Sequence, residues 1–411
     1  MLKGKDPFAA LKYREFLSLI TGNLINTAAL LIQEVLLGYE LYKITRNPLT
    51  LGLIGLAEAI PYISLALFGG HFADKLDKKK MMKWSLSVII VSSICLAIIF
   101  KNAHSISENT LLAGTFIFIS IIGFAKGFYH PAASSLKAFL TPREVYSNAA
   151  SWGSTFWQIG AVLGPGIAGF LYANYGLVTT LIIVVVLLAI NFVIISNISK
   201  TEIKTLSQTN QNIWQSIREG FVFVYNTKIL LYSISLDLVA VLFGGVVAIL
   251  PIFAEDILKV GPQGLGILRA APSIGAILTI FATTVISPTD RAWRNMIIAV
   301  SGFGIATIIF ALSTNFILSV VMLFLTGAFD SISVVIRQTI LQVIPPEHMR
   351  GRVVSVNSIF VTSSNEIGAF ESGLAASLFG TVPSVVIGGG ITIIIIFIVF
   401  LRSKELINLK L

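Results

Sequence analysis

The sequence predicts an all-α membrane protein of twelve transmembrane helices in two six-helix, pseudo-symmetric halves. Three observations predict it: composition, the recurrence of apolar runs of spanning length, and a repeat between the halves. Of the 411 residues 55% are apolar and only 12% charged, and the mean hydropathy is +0.87, well outside the range of soluble domains. A span needs about 20 mostly apolar residues to cross roughly 30 Å of hydrocarbon, and such runs recur along almost the whole chain. Most of the 33 glycines fall inside these runs, which favours helices packed closely on one another. The short alternating segments of a β-barrel are absent from the sequence.

Taken in order, the runs lie near 17–41, 49–73, 82–101, 110–135, 146–174 and 177–197, then 229–256, 264–286, 294–313, 315–343, 353–380 and 382–402. Lys and Arg are retained on the cytoplasmic side during insertion. With both termini cytoplasmic, inside segments hold 22 of the 29 basic residues, spans hold Lys126, Arg269 and Arg337, and outside loops hold only Lys43, Arg46, Lys101 and Lys259. The opposite topology would reverse that bias. Three regions follow: a bundle over 1–197, a linker over 198–228 and a bundle over 229–411. The linker begins polar and ends in an amphipathic stretch with Ile213, Trp214, Ile217, Phe221 and Tyr225, which is expected to lie along the membrane surface.

The formal charge of +9 thus has a topological cause, and no soluble region is long enough to form a nucleic-acid-binding domain. The single cysteine, Cys95, rules out an intrachain disulfide or a cysteine metal cluster. No small-residue cleavage site follows a short apolar core near the N-terminus, so the first hydrophobic segment is expected to be retained.

The two halves share a pattern. Pro142-Arg143-Glu144 falls on Pro345-Pro346-Glu347 and Gly127 on Asp330 at an offset of 203, while Gly55, Glu58 and Pro61 fall on Gly266, Arg269 and Pro272 at an offset of 211. Parallel repeats about an axis along the membrane normal place a substrate site at their interface. Ionisable residues, costly in hydrocarbon, face a cavity or a partner. They occur as Glu34 in the first span, Glu58 in the second, Lys126 in the fourth, Asp237 in the seventh, Arg269 in the eighth, Asp330 and Arg337 in the tenth, and Glu366 and Glu371 in the eleventh. The third, sixth, ninth and twelfth spans carry none in their interiors and are expected to face lipid.

Two motifs add chemistry. GGHFADKLDKKK over 69–80 places Gly70 for close helix approach and Asp74, followed by Lys75, where a carboxylate can meet a positive helix end. SWGSTFWQIGAVLGPGIAGF over 151–170 lines up Gly160, Gly164 and Gly169 as a packing stripe, with Pro165 removing a backbone donor. The first motif resembles the loop signature of the major facilitator superfamily, with Asp77 where that family usually has a second glycine. The second is similar to the antiporter signature of its exporters. SLDLVAVLFGGVVAILP (235–251), MRGRVVSVNSIFVTSSNEIGAFESG (349–373) and SIREGFVFV (216–224) look like the branch with enterobactin-type siderophore exporters and macrolide efflux proteins. The resemblance implies proton-driven export of small organic molecules from a bacterial inner membrane.

Glu34 and Asp237 are the first candidates for proton or substrate binding, because they lie on the helices that begin each half. Glu58, Lys126, Arg269, Asp330, Glu366 and Glu371 complete the set. Glu366 and Glu371 are roughly 140° apart around a helix, so at most one faces a cavity. Lys126 and His130 share a helix face; Tyr62, Phe128, Tyr129, Trp152 and Trp157 offer an aromatic surface or ordinary packing. No HExxH, paired CxxC, P-loop or nucleotide-binding glycine pattern is present, and His71, His104, His130 and His348 lack metal spacing. No cofactor, metal or enzymatic activity is expected. The partners are a small-molecule substrate, protons and the bilayer, and the chain is expected to act as a monomer. A proton-coupled symporter importing a solute is the alternative; a membrane enzyme, receptor or channel fits less well.

Overall fold

The structure is a computed structural model describing residues 6–75, 77–199 and 213–407; at some positions, among them 66–75 and 213–216, it describes the backbone alone. All regular structure among the described residues is helical. The first half contains α1 (Arg14–Thr45), α2 (Pro48–Lys75), α3 (Lys78–Lys101), α4 (Glu108–Phe139), α5 (146–175) and α6 (177–197), the last two meeting at Gly176 with φ 74°. Next come α7 (Ile213–Asn226) and then α8 (Lys228–Gly244), α9 (Gly261–Val285), α10 (Ala292–Leu312), α11 (Phe316–Val343), α12 (Glu347–Phe379) and α13 (Thr381–Arg402).

Ten helical stretches among the described residues are long and apolar enough to cross a membrane. One of them, Asn148–Asn197, holds both α5 and α6. The 33-residue α12 stands outside the ten because Ser, Thr and Asn residues, together with Glu366 and Glu371, lower its hydropathy. Counting α5 and α6 separately and adding α12 gives twelve crossings. Val285, Ile286 and Ile317 stay more than 70% exposed, an apolar surface that hydrocarbon covers without cost.

Short polar side chains fix where helices start. Asp77 accepts from the Lys80 backbone N–H at 3.1 Å, Ser107 from Thr110 at 3.3 Å and Asn315 from Leu318 at 3.0 Å, each satisfying an orphan donor of a first turn. Asp77 therefore starts α3.

The seventh span, expected near 229–256, is one candidate crossing over Lys228–Ile257, with a break inside it: α8 ends at Gly244, and helix resumes at Leu250–Ile252 and closes as a π-helix over Phe253–Ile257. Gly245 adopts an extended ψ of 114°, and Ser372 Oγ donates to its carbonyl at 2.7 Å. A broken helix in a membrane needs such a partner for its freed backbone groups.

The chain forms two compact units, Met1–Ile44 with Leu56–Ser207, and Thr45–Gly55 with Gln208–Leu411. The first is cored by Phe16, Leu19, Met82, Leu86, Tyr129 and Ile195. The second is cored by Leu230, Trp293, Met296, Ile336, Ile340 and Val353. Trp293 is fully buried and its indole N–H donates to Ser403 Oγ at 2.8 Å, tying α10 to the end of α13.

Candidate functional site

In the first unit, two short connections reverse the chain twice between α2 and α4, so these helices run in the same direction. A Cβ at Gly123 would stand 2.2 Å from the Glu58 carbonyl oxygen, so the glycine is what lets the two backbones meet. One turn along α4, the Lys126 ammonium forms an ion pair with the Glu58 carboxylate. Another turn along both helices, the Tyr62 and His130 rings meet edge to face at 5.9 Å, and Tyr129 meets His130 at the same distance. Equal rise along parallel helices keeps the charged and aromatic pairs in register. The side chains of Lys126 and Glu58 remain 20% and 26% exposed.

α1 contributes amides beside Glu34. Asn23 Oδ1 accepts from the Tyr129 hydroxyl at 2.9 Å, and Asn191 Nδ2 of α6 donates to that hydroxyl at 3.3 Å. Gln33 Oε1 accepts from Ser93 Oγ of α3 at 2.7 Å. Asn26 is buried with no hydrogen bond to its Oδ1 among the described residues. Glu34 is half-buried, eleven positions from Asn23 and so on the same face of α1 three turns on. Asn23, Gln33 and Asn191 were missed by sequence reasoning because a neutral amide in an apolar run carries no charge signal. The recurrence of amides on α1 at 23, 26 and 33 was the available clue.

The stripe of α5 packs on that helix. Cβ atoms at Gly160 and Gly164 would lie 2.9 Å from the carbonyl oxygens of Leu24 and Ala28. Pro165 and Gly169 are buried in the same helix. The backbone of α2 is helical through Lys75, but the side chains of Asp74 and Lys75, and the surroundings of Gly70, lie outside the described residues.

In the second unit, Asp237 of α8 and Arg337 of α11 form an ion pair whose side chains are only 5% and 3% exposed. Nine residues from Lys228 to Asp237 amount to about 14 Å of rise, close to mid-bilayer. Leu236, Ile336 and Ile340, next to the pair or within one turn of it along α8 and α11, belong to the apolar core. The Arg337 nitrogen that meets the carboxylate is not aligned for a hydrogen bond, and its Nε has no partner among the described residues. Asp330, two turns earlier on α11, is half-buried and makes no hydrogen bond or ion pair among the described residues. Arg269 is half-buried on α9. Glu366 and Glu371 have separate surroundings on α12: Glu366 lies by Gly55, and Glu371 lines a small cavity with Phe243 and Gly245 at the break after α8.

Spanning helices of this number, with charged groups and amides held in their interiors, make a polytopic membrane protein. Residues 16–369 match the Major Facilitator Superfamily, and the chain belongs to that family. It is 24% identical over 385 residues to the multidrug efflux pump Tap of Mycolicibacterium fortuitum, covering 88% of this chain and 90% of that one. It is 25% identical over 408 residues to the enterobactin exporter EntS of Shigella flexneri, covering 96% and 91%. Among solved structures it resembles a mutant of the nucleoside transporter NupG (TM-score 0.78, 14% identity, 95% and 100% covered). It also resembles a D-xylose-proton symporter (TM-score 0.74, 14% identity, 98% and 100% covered). At such identities these structures speak for the fold alone.

Proposed function

We propose that the protein exports a small organic compound, drug-like or siderophore-like, by alternating access in exchange for protons. In this reading it acts as a monomer in the bacterial inner membrane with both termini in the cytoplasm. The observation that carries it is the contact of the α5 stripe with α1. The glycines of the exporter-like signature bring the α5 backbone against the helix that carries Asn23, Asn26 and Glu34, and the relatives over nearly the full length are an efflux pump and an exporter.

Proton exchange needs a carboxylate that titrates near the working pH and is not spoken for by a permanent counter-ion. Asp237 is held by Arg337 and Glu58 by Lys126. Asp330 is therefore the first residue to test for coupling; Glu34 is tested beside it for its place on the face of α1 that carries Asn23, with Arg269, Glu366 and Glu371 as charged groups that shape the route. Asp74 and Lys75 with Gly70 act in gating, together with the α5 stripe.

The test begins with a substrate screen in cells with and without the protein, using antibiotics and catecholate siderophores. The substrate found is then followed in proteoliposomes under an imposed pH gradient. Efflux against proton entry is expected, and Asp330→Asn or Glu34→Gln should keep substrate binding yet lose the response to the gradient. Accumulation driven in the same direction as the protons would instead establish a symporter and sink the export reading.

A further inference from the structure

The segment between the two halves carries a feature that transport does not use. One face of α7 is clamped to α12: a Cβ at Gly220 would lie 2.8 Å from the Arg352 carbonyl oxygen, Val224 is 4% exposed, and Glu219 forms an ion pair with Arg352. The Phe221 ring stacks on Phe360 at 6.3 Å and 15°. Outward, Phe221, Val222 and Tyr225 remain 49%, 48% and 65% exposed. Beside this clamp a cleft of about 650 Å³ opens between α7 and the start of α12.

The cleft has a polar side and an apolar side. Arg218, Asn226 and Thr227 supply donors, while Val222, Phe223 and Met349 supply apolar surface. Arg352 also lines it, but Glu219 neutralises that guanidinium. Arg218 is exposed and has no partner among the described residues, so the cleft presents one net positive charge. Its depth follows from its walls. Thr227 immediately precedes α8, and Met349 and Arg352 belong to the first two turns of α12. Both helices enter the bilayer from there, which sets the cleft at headgroup level. The Lys228–Glu405 pair at 2.9 Å marks the same boundary.

We propose that this cleft binds one anionic glycerophospholipid. The phosphodiester sits at Arg218 with Asn226 and Thr227, and the upper acyl segment lies along Val222, Phe223 and Met349. A guanidinium pairs well with phosphate oxygens, and an apolar wall beside it complements a lipid but not a soluble anion. The exposed apolar face of α7 keeps the cleft at the interface where such lipids reside.

Native mass spectrometry of the full-length protein in detergent tests this, with phosphatidylglycerol, phosphatidylcholine and inorganic phosphate as probes. One phosphatidylglycerol per chain should be retained in preference to phosphatidylcholine, and millimolar phosphate should not displace it. Arg218→Gln, at an exposed position, should weaken retention about fivefold, and Glu219→Gln/Arg352→Gln, which leaves no charge unpaired, should largely keep it. Arg294→Gln, an exposed arginine elsewhere on the chain, should bind as wild type. Undiminished binding by Arg218→Gln, equal loss in Arg294→Gln, equal retention of phosphatidylcholine, or displacement by phosphate would each overturn the proposal, the last by showing a soluble-anion site.

Discussion

The ion pair of the first unit and that of the second join comparable partners, an acid on one spanning helix and a base on another, but their surroundings differ. Glu58 and Lys126 keep about a fifth to a quarter of their side chains exposed, whereas Asp237 and Arg337 keep 5% and 3%. The first pair is only partly enclosed, so its rupture costs less than that of a pair sealed inside protein. The second pair is enclosed by apolar core, where an uncompensated charge is costly. The second pair holds α8 on α11, and the first ties α2 to α4 less firmly.

The largest expected effect tests the buried pair. Arg337→Met leaves Asp237 unpaired in the core and should destabilise the protein by about 3–5 kcal/mol, seen as loss of folded yield and a lowered unfolding midpoint in detergent. Asp237→Leu combined with Arg337→Met should recover most of that loss. If the double variant is no better than the single, the pair does more than neutralise charge.

Gly123→Ala comes next. Its methyl group would meet the Glu58 carbonyl at 2.2 Å, a backbone clash that the two helices relieve only by separating, at about 1–3 kcal/mol. The same shift should move Lys126 from Glu58, so transport should fall more than stability does. A variant with full transport would show that the contact of α2 with α4 does not set the pair.

Glu58→Gln should cost about 1 kcal/mol or less in stability while altering transport, the reverse of the expectation for Arg337→Met. Exchanging the charges, Glu58→Lys with Lys126→Glu, should restore stability. The smallest effect belongs to the fully exposed Asp6–Lys12 pair. The hydrogen bond from Lys12, then that from the Phe8 N–H, holds the Asp6 carboxyl below its ordinary value of 3.8. A depressed carboxylate contributes above its unfolded pKa and loses that contribution as pH falls through the folded one. Asp6→Asn should leave the unfolding midpoint at pH 7 unchanged within error.

Most of the fold was legible because hydrocarbon imposes a length and a composition on every span. The break after α8 was not, since Gly244-Gly245 sits within an apolar run and reads like the packing glycines elsewhere. The amphipathic stretch was legible as a helix, but Phe221 and Tyr225 turned out exposed while Val224 is buried. Three apolar positions cannot reveal which part of the stripe meets protein and which meets lipid. The charged residues stood out at once, because each is rare in its run. Their partners did not: Lys126 pairs with Glu58 and Asp237 with Arg337, and only packing at positions such as Gly123 decides such matches. Linker residues 200–212 lie outside the described residues.

The hairpin at Thr45–Gly55 belongs to the second unit although it joins α1 to α2. Its Arg46, held at φ 49°, reaches Asp256 at 2.8 Å and Glu255 at 3.4 Å. A Cβ at Gly52 would lie 2.9 Å from the Phe370 carbonyl oxygen. Arg46 and Asp256 are 210 residues apart in the chain, which at ribosomal speed is about 10 to 40 s of synthesis. Throughout that delay the hairpin has been made and its acidic partners have not. Chain order thus gives the hairpin a timing role: the first six helices are inserted with this loop undocked, and it fastens only after the seventh span has been delivered.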